Sequence, residues 1–149
     1  MYKHVLVPTD GSKLSLKAVK TGARLAGALG AKLTLVHVVA PYMPPLYGDP
    51  IGYAPMVLDP KEYKVNIERN AKRVLADGAR AVAALGMTCS EVVATDEHPW
   101  EALLRTARGK KCDVIVMASH GRRGLAGVLL GSETTKLLTH STIPVLVCR

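Results

Sequence analysis

The sequence predicts an α/β protein: an open, five-stranded parallel sheet with helices on both faces. Three observations carry this. Short, nearly continuous apolar runs recur along the 149 residues, from Val5-Leu6-Val7 at one end to Val145-Leu146-Val147 at the other. Between them lie segments whose apolar residues repeat at helical spacing. The two kinds alternate, β-α-β-(loop)-α-β-α-β-α-β, the pattern of strands buried on both faces and joined by helical crossovers. Each crossover should be right-handed.

The elements follow in order. Residues 3–8 read as a buried strand. Ser12 can cap the next helix, in which Leu14, Ala18, Gly22, Leu25 and Leu29 recur inward while Lys17, Lys20 and Arg24 face water; Gly30 ends it. Residues 33–39 form a second strand. The stretch 40–60 holds six prolines (Pro41, Pro44, Pro45, Pro50, Pro55, Pro60) with Tyr42, Tyr47 and Tyr53 among them, and reads as a long loop. A second helix is expected over 61–85, with Ile67, Ala71, Val74, Leu75, Ala79, Val82 and Leu85 inward and Gly86 closing it. A third strand (88–94) leads to a helix opened by Pro99, with Leu103, Leu104 and Ala107 facing inward. A fourth strand (113–118), a glycine-rich turn, a helix over 132–138 and a last strand (143–148) complete the chain.

Composition narrows the class. Hydrophobic residues make up 48% and charged residues 21%, which excludes wholesale disorder. With no Phe and one Trp, the core must be built from Val, Leu, Ile, Met and Ala. The length fits one domain, 1–149. No apolar run approaches the ~18 residues a membrane span needs. Met1 runs almost directly into the first strand, so no targeting segment is expected and the expected location is the cytoplasm. Cys89, Cys112 and Cys148 lack metal-ligand spacing and read as small apolar residues in or near strands. Twenty Lys+Arg against twelve Asp+Glu give +8, a balance that attracts anions. The bases are scattered, which suits solvated helix faces better than a nucleic-acid groove.

An open sheet of this kind binds ligands at the carboxyl ends of its strands, where strand order reverses. Two constellations stand at strand ends. The first is Pro8-Thr9-Asp10-Gly11-Ser12. Asp10 there can accept from a ribose or from amide donors, or simply cap the helix with Ser12. The second runs from Ala118-Ser119-His120 to Gly131-Ser132-Glu133-Thr134, with four glycines in the eleven residues 121–131. Glycines let backbone approach a phosphate, and N–H groups at a helix start point toward an anion. Ser132 and Thr134 add hydroxyls; Arg122 and Arg123 add positive charge. The same stretch also reads as a glycine-rich turn with a capped helix.

Absences help. Gly131-Ser132 lacks the Lys of a P-loop, and the first turn is not G-x-G-x-x-G. No metal-binding cluster is evident. His37 reads as a satisfied strand histidine, His98 as a helix-start residue, and His120 as a donor to a ligand or to its own loop. No nucleophile, base and orienter assemble.

The chain resembles the universal stress protein family, through Val5-Leu6-Val7-Pro8-Thr9-Asp10-Gly11-Ser12, Leu35-Val36-His37-Val38, Met117-Ala118-Ser119-His120-Gly121, Leu129-Leu130-Gly131-Ser132 and Pro144-Val145-Leu146-Val147. Its ATP-binding branch carries G-x2-G-x9-G-[ST]; here Gly121, Gly131 and Ser132 match, and Ala118 stands at the first glycine. The resemblance implies a flavodoxin-like sheet of order 3-2-1-4-5, of the adenine nucleotide alpha hydrolase-like kind. It implies that Asp10 meets ribose or adenine, with Pro8 and Thr9 shaping the wall. The Val38 backbone would hold the adenine edge, and Met117 and Ala118 would lie near the sugar. Backbone groups of Gly121, Gly131, Ser132 and Glu133 would hold the phosphates, with the Glu133 side chain pointing away. The implied cofactor is ATP; any Mg²⁺ would ride on its phosphates near Asp10. The implied role is stress response or regulation with little or no turnover. A homodimer through 143–148 is implied, since an apolar edge strand invites a partner. Competing readings are a dimeric interaction module that binds no nucleotide, a slow ATPase, and, last, a nucleic-acid binder.

Overall fold

The strands form because their β-branched and Leu-rich runs can be buried on both sides at once. In the computed structural model, which describes residues 1–43, 59–120 and 130–149, β1 (His4–Pro8) lies at the centre of the sheet. The order along the chain is then α1 (Lys13–Leu29), β2 (Lys32–Val39), α2 (Pro60–Ala83), β3 (Ser90–Thr95), α3 (Pro99–Gly109), β4 (Val114–Ala118), α4 (Ser132–His140) and β5 (Val145–Cys148). The five strands are parallel and ordered β3-β2-β1-β4-β5, as expected. Register sets Val5 beside Leu33 and Val114, and Leu6 beside Thr34 and Ile115.

Alternation along each strand feeds two cores. Val5, Val7, Leu33, Leu35, Val114 and Val116 pack with Ala18, Val19, Ala23 and Ala26 of α1 and with Leu75 and Val82 of α2. Leu6, Val36, Ile115 and Met117 face the other way, onto Leu103, Leu104 and Ala107 of α3 and Leu137 of α4. Fully burying one such side chain is worth ~1.5–3 kcal/mol. Gly22 allows the close seat of α1, since a Cβ there would overlap the Val7 side chain.

Helix ends show which local signals act. Ser12 caps α1 by accepting from Ser15 N–H at 3.1 Å. Gly30 closes it in the left-handed region (φ 61°), and Ala31 N–H returns to Ala26 O at 2.8 Å. Pro60, expected in the loop, is instead the first residue of α2, with Asp59 as its cap accepting from Lys61 N–H at 3.0 Å. A proline costs nothing there, because that N–H has no helical partner anyway. Leu85, expected on the inner stripe, is 38% exposed, because α2 ends at Ala83. Gly78 rather than Ala79 faces the sheet, against Leu35. The last strand begins at Val145, not 143: Ile143 N–H is taken by Ser141 Oγ at 3.0 Å. Of the proline- and tyrosine-rich stretch, 44–58 lies outside the described residues. Its leading end is held to α2 by Tyr63, whose hydroxyl donates to Ala40 O at 3.3 Å and whose ring lies 5.3 Å from that of Tyr42. Among the described residues no helix is long and apolar enough to cross a membrane.

Candidate functional site

The connections leaving β1 and β4 run to opposite faces of the sheet, so a crevice opens at their carboxyl ends. It is a cavity of about 260 Å³. Its apolar lining is Pro8 of β1, Val36 and Val38 of β2, Met117 and Ala118 of β4, and Pro99 and Leu103 of α3, most of it from the face of the sheet that carries α3 and α4. Its polar lining is Thr9, Asp10, Ser15, His37, His120, Glu133 and Thr134.

The Thr9-Asp10 turn is fixed on every side. Thr9 N–H donates to Val36 O at 2.9 Å, continuing the β1–β2 ladder past Pro8. Thr9 Oγ1 lies 3.2 Å from Ser15 Oγ and accepts from Gly11 N–H at 3.3 Å. Asp10 Oδ1 accepts from Ser12 N–H at 2.9 Å, so the carboxylate is held at the turn. Gly11 adopts φ 78°, which a side chain would strain. The Thr9 carbonyl lies 2.8 Å from His37 Nδ1. A carbonyl oxygen only accepts, so the proton is on Nδ1. His37 is thus satisfied, as expected, yet it also lines the cavity.

The second turn is tied down from β4 and α4. Gly131 N–H donates to Ser119 O at 2.7 Å, and Thr134 Oγ1 donates to Ala118 O at 3.2 Å. Ser119 N–H reaches Cys148 O on β5 at 2.8 Å. Gly131 caps α4 without a side-chain bond, and a Cβ on it would meet His120 Cα at 3.3 Å. Ser119 Oγ lies 3.1 Å from His120 Nδ1.

Glu133 is among the residues that line the cavity, and neighbours engage both of its carboxylate oxygens. Glu133 Oε2 accepts from Trp100 N–H at 3.0 Å, capping α3, whose own cap residue His98 makes no side-chain bond. Glu133 Oε1 lies 3.4 Å from Lys136 Nζ.

Of the residues singled out from sequence, Pro8, Thr9, Asp10, Val38, Met117, Ala118, Glu133 and Thr134 share the one cavity. Gly131 and Ser132 stand at the start of α4 beside it, Ser132 exposed. Gly121 and Arg122 lie outside the described residues. Ser15, Val36, His37, Pro99 and Leu103 were not singled out for the site; they reach it through strand order and helix packing, which no local motif encodes. A larger hollow, about 470 Å³, lies between α2 and β3, walled by residues such as Tyr63, Ile67 and Val93. It is away from the switch point, and its rim includes Tyr42 and Pro60 on either side of 44–58. The smaller cavity has the convergent polar groups of a ligand site. Among the described residues no three His, Cys, Asp or Glu side chains gather to hold a metal ion.

Fold and site together define a doubly wound α/β protein with a ligand-sized crevice where its strand order reverses. The chain belongs to the universal stress protein family, which matches residues 1–149. A universal stress protein of Thermus aquaticus is 30% identical over 149 residues, all of both chains. A universal stress protein solved in complex with cAMP is 30% identical, with TM-score 0.72 over 99% of this chain and 97% of that one. The fold is also that of the Lactobacillus plantarum protein UspA, 24% identical, TM-score 0.78, over 99% and 98% of the two chains.

Proposed function

We propose that this protein binds an adenine nucleotide in the crevice between β1 and β4 and acts in stress response or regulation with little or no turnover. The observation that carries this is the single cavity whose wall joins the Thr9-Asp10 turn to Ala118, Glu133 and Thr134. The apolar strip of Val36, Val38, Leu103 and Met117 suits a base, and Asp10 suits a ribose hydroxyl. The start of α4, with Gly131 and Ser132, suits phosphate, and Gly121 and Arg122 belong to the same reading through the family motif. The relative in complex with cAMP supports an adenine ligand. ATP is the cofactor the family pattern implies, with Mg²⁺ carried on its phosphates. Ala118 narrows the crevice by one methyl and leaves it open.

Calorimetry on protein stripped of small molecules, with and without Mg²⁺, tests the reading. Binding of adenine nucleotides below millimolar concentration is expected; none at millimolar ATP or AMP would refute it. Gly131→Val should weaken ATP more than AMP, because the added branch displaces the start of α4 from the His120 backbone.

The sheet edge supports a homodimer. Leu146 on the edge strand β5 is 45% exposed, and pairing with a second copy along 143–148 would cover it.

A further inference from the structure

The charge of the molecule is lopsided. Helices α1 and α2 cover one face of the sheet, and α3 and α4 the other. The first pair carries ten bases against three acids, a balance of +7 in a chain whose total is +8. The second pair carries three bases against two acids. Helix α1 is the extreme case: its 17 residues hold Lys13, Lys17, Lys20 and Arg24 and no carboxylate. Their spacing is 4, 3, 4. At ~3.6 residues per turn the four fall within an arc of about 60°, along about 16 Å of helix. All four are exposed, while the opposite face of α1 is buried on the sheet.

Among the described residues no carboxylate side chain answers this row, since the ion pairs there are Arg80–Asp77, Arg105–Asp96 and Lys136–Glu133. Lys17 is tethered, its Nζ donating to Arg149 O, which leaves Lys13, Lys20 and Arg24 to reach outward. The row recognises by charge. Thr21, beside it, spends its hydroxyl on Lys17 O at 3.0 Å. None of the large apolar side chains left exposed among the described residues belongs to α1, so the helix has nothing to insert into a membrane. Nor does α1 hold an aromatic or amide side chain with which to read or stack a base.

We propose that the outer face of α1 is a docking surface for an acidic helical segment of a partner protein, one whose Glu or Asp side chains repeat at the same spacing. Two helices lying side by side at a shallow angle meet along such a seam, so bases one turn apart face acids one turn apart. A match of this kind steers encounter and fixes register, and salt weakens it. The surface stands apart from the nucleotide reading, because none of the four bases lines the cavity.

The test uses the whole protein and short labelled peptides, read by fluorescence anisotropy at low salt. One peptide is an Ala-rich helix with Glu at the 4-3-4 spacing; another has the same composition with its Glu residues spread round the helix. The stripe variant is Lys13→Gln, Lys20→Gln and Arg24→Gln together. The control variant, Arg108→Gln, Lys110→Gln and Lys111→Gln, removes as much exposed charge from the end of α3 and the turn after it. Gln matches Lys and Arg in helix propensity, so the stripe variant keeps α1. The spaced peptide should bind, about tenfold or more weaker in the stripe variant and within about twofold of wild type in the control. The scattered peptide should bind several-fold more weakly than the spaced one. No binding of the spaced peptide, equal loss in the two variants, or equal binding of the two peptides overturns the proposal. So does tighter binding of a DNA duplex, or of vesicles rich in phosphatidylserine, through the same three bases, since the row would then serve a different polyanion.

Discussion

The two ends of the sheet use polar residues in opposite ways. At the amino end they tie neighbouring segments together, through backbone N–H groups and through one another. Asp113 accepts from Lys3 N–H at 2.8 Å and His4 N–H at 2.9 Å. His4 Nε2 meets Thr34 Oγ1 at 2.8 Å, and Thr34 meets Ser90 Oγ at 2.7 Å, a chain across β1, β2 and β3. At the carboxyl end, Thr9, His37 and Thr134 bond mainly to backbone, which fixes the walls and leaves the space between them open. Side chains bonded to one another across three strands tie the amino end together; side chains anchored mainly to backbone hold the rim of the cavity. The first end should therefore govern stability, and the second should govern ligand affinity.

Breaking both ends together should have the largest effect. Helix α1 runs from the Asp10 turn to the Gly30 cap, and Gly22 sits at its closest approach to β1. Gly22→Leu forces the helix off the stiff Val7 side chain and should cost ~1–3 kcal/mol or more in chemical denaturation. Ligand affinity should fall with it, because the Ser12 cap and Ser15 move. A Gly22→Leu protein with native stability would contradict the packing described.

Separating the ends comes next. Thr34→Val keeps the shape of a fully buried residue and removes the hydroxyl between His4 and Ser90. It should cost ~1–2 kcal/mol with nucleotide affinity unchanged. Thr9→Val is its counterpart at the other end. It removes the acceptor of Gly11 N–H and the partner of Ser15 Oγ. It should cost ~1 kcal/mol in stability and lower adenine-nucleotide affinity by about tenfold. Equal affinity in the two variants would erase the distinction between the ends.

How much of this was legible before the structure depends on the range of the interactions. Periodicity is local, so the alternation of strands and helices, the Gly30 stop and the Ser12 cap could be read directly. The Pro60 start of α2 was less legible, because the same proline serves a loop or a first helical turn and only its neighbours decide. Strand order came from family likeness, since alternation alone does not say which strand neighbours which. The two turns could be singled out because each is a contiguous motif. His37 and Glu133 could not be given their roles: His37 bonds to a residue 28 positions away and Glu133 to one 33 away. Such pairs exist only once β1, β2 and β4 stand side by side and α3 packs beside α4.

The smallest effect sharpens the contrast by pH. Burial tends to raise the Asp113 carboxyl, but the N–H groups of His4 and Lys3 favour its charged form and hold it below the ordinary value of 3.8. A carboxyl lowered on folding contributes stability above its unfolded pKa and loses it as pH falls through the folded value. Asp113→Asn keeps one acceptor and loses the charge, so it should cost at most ~1 kcal/mol at neutral pH. That cost should shrink below about pH 4, where the wild-type carboxyl also takes up its proton. Denaturation series from pH 3 to 7 on both proteins would trace it. A difference that stays constant across that range would mean that Asp113 acts through its second acceptor oxygen rather than through its charge.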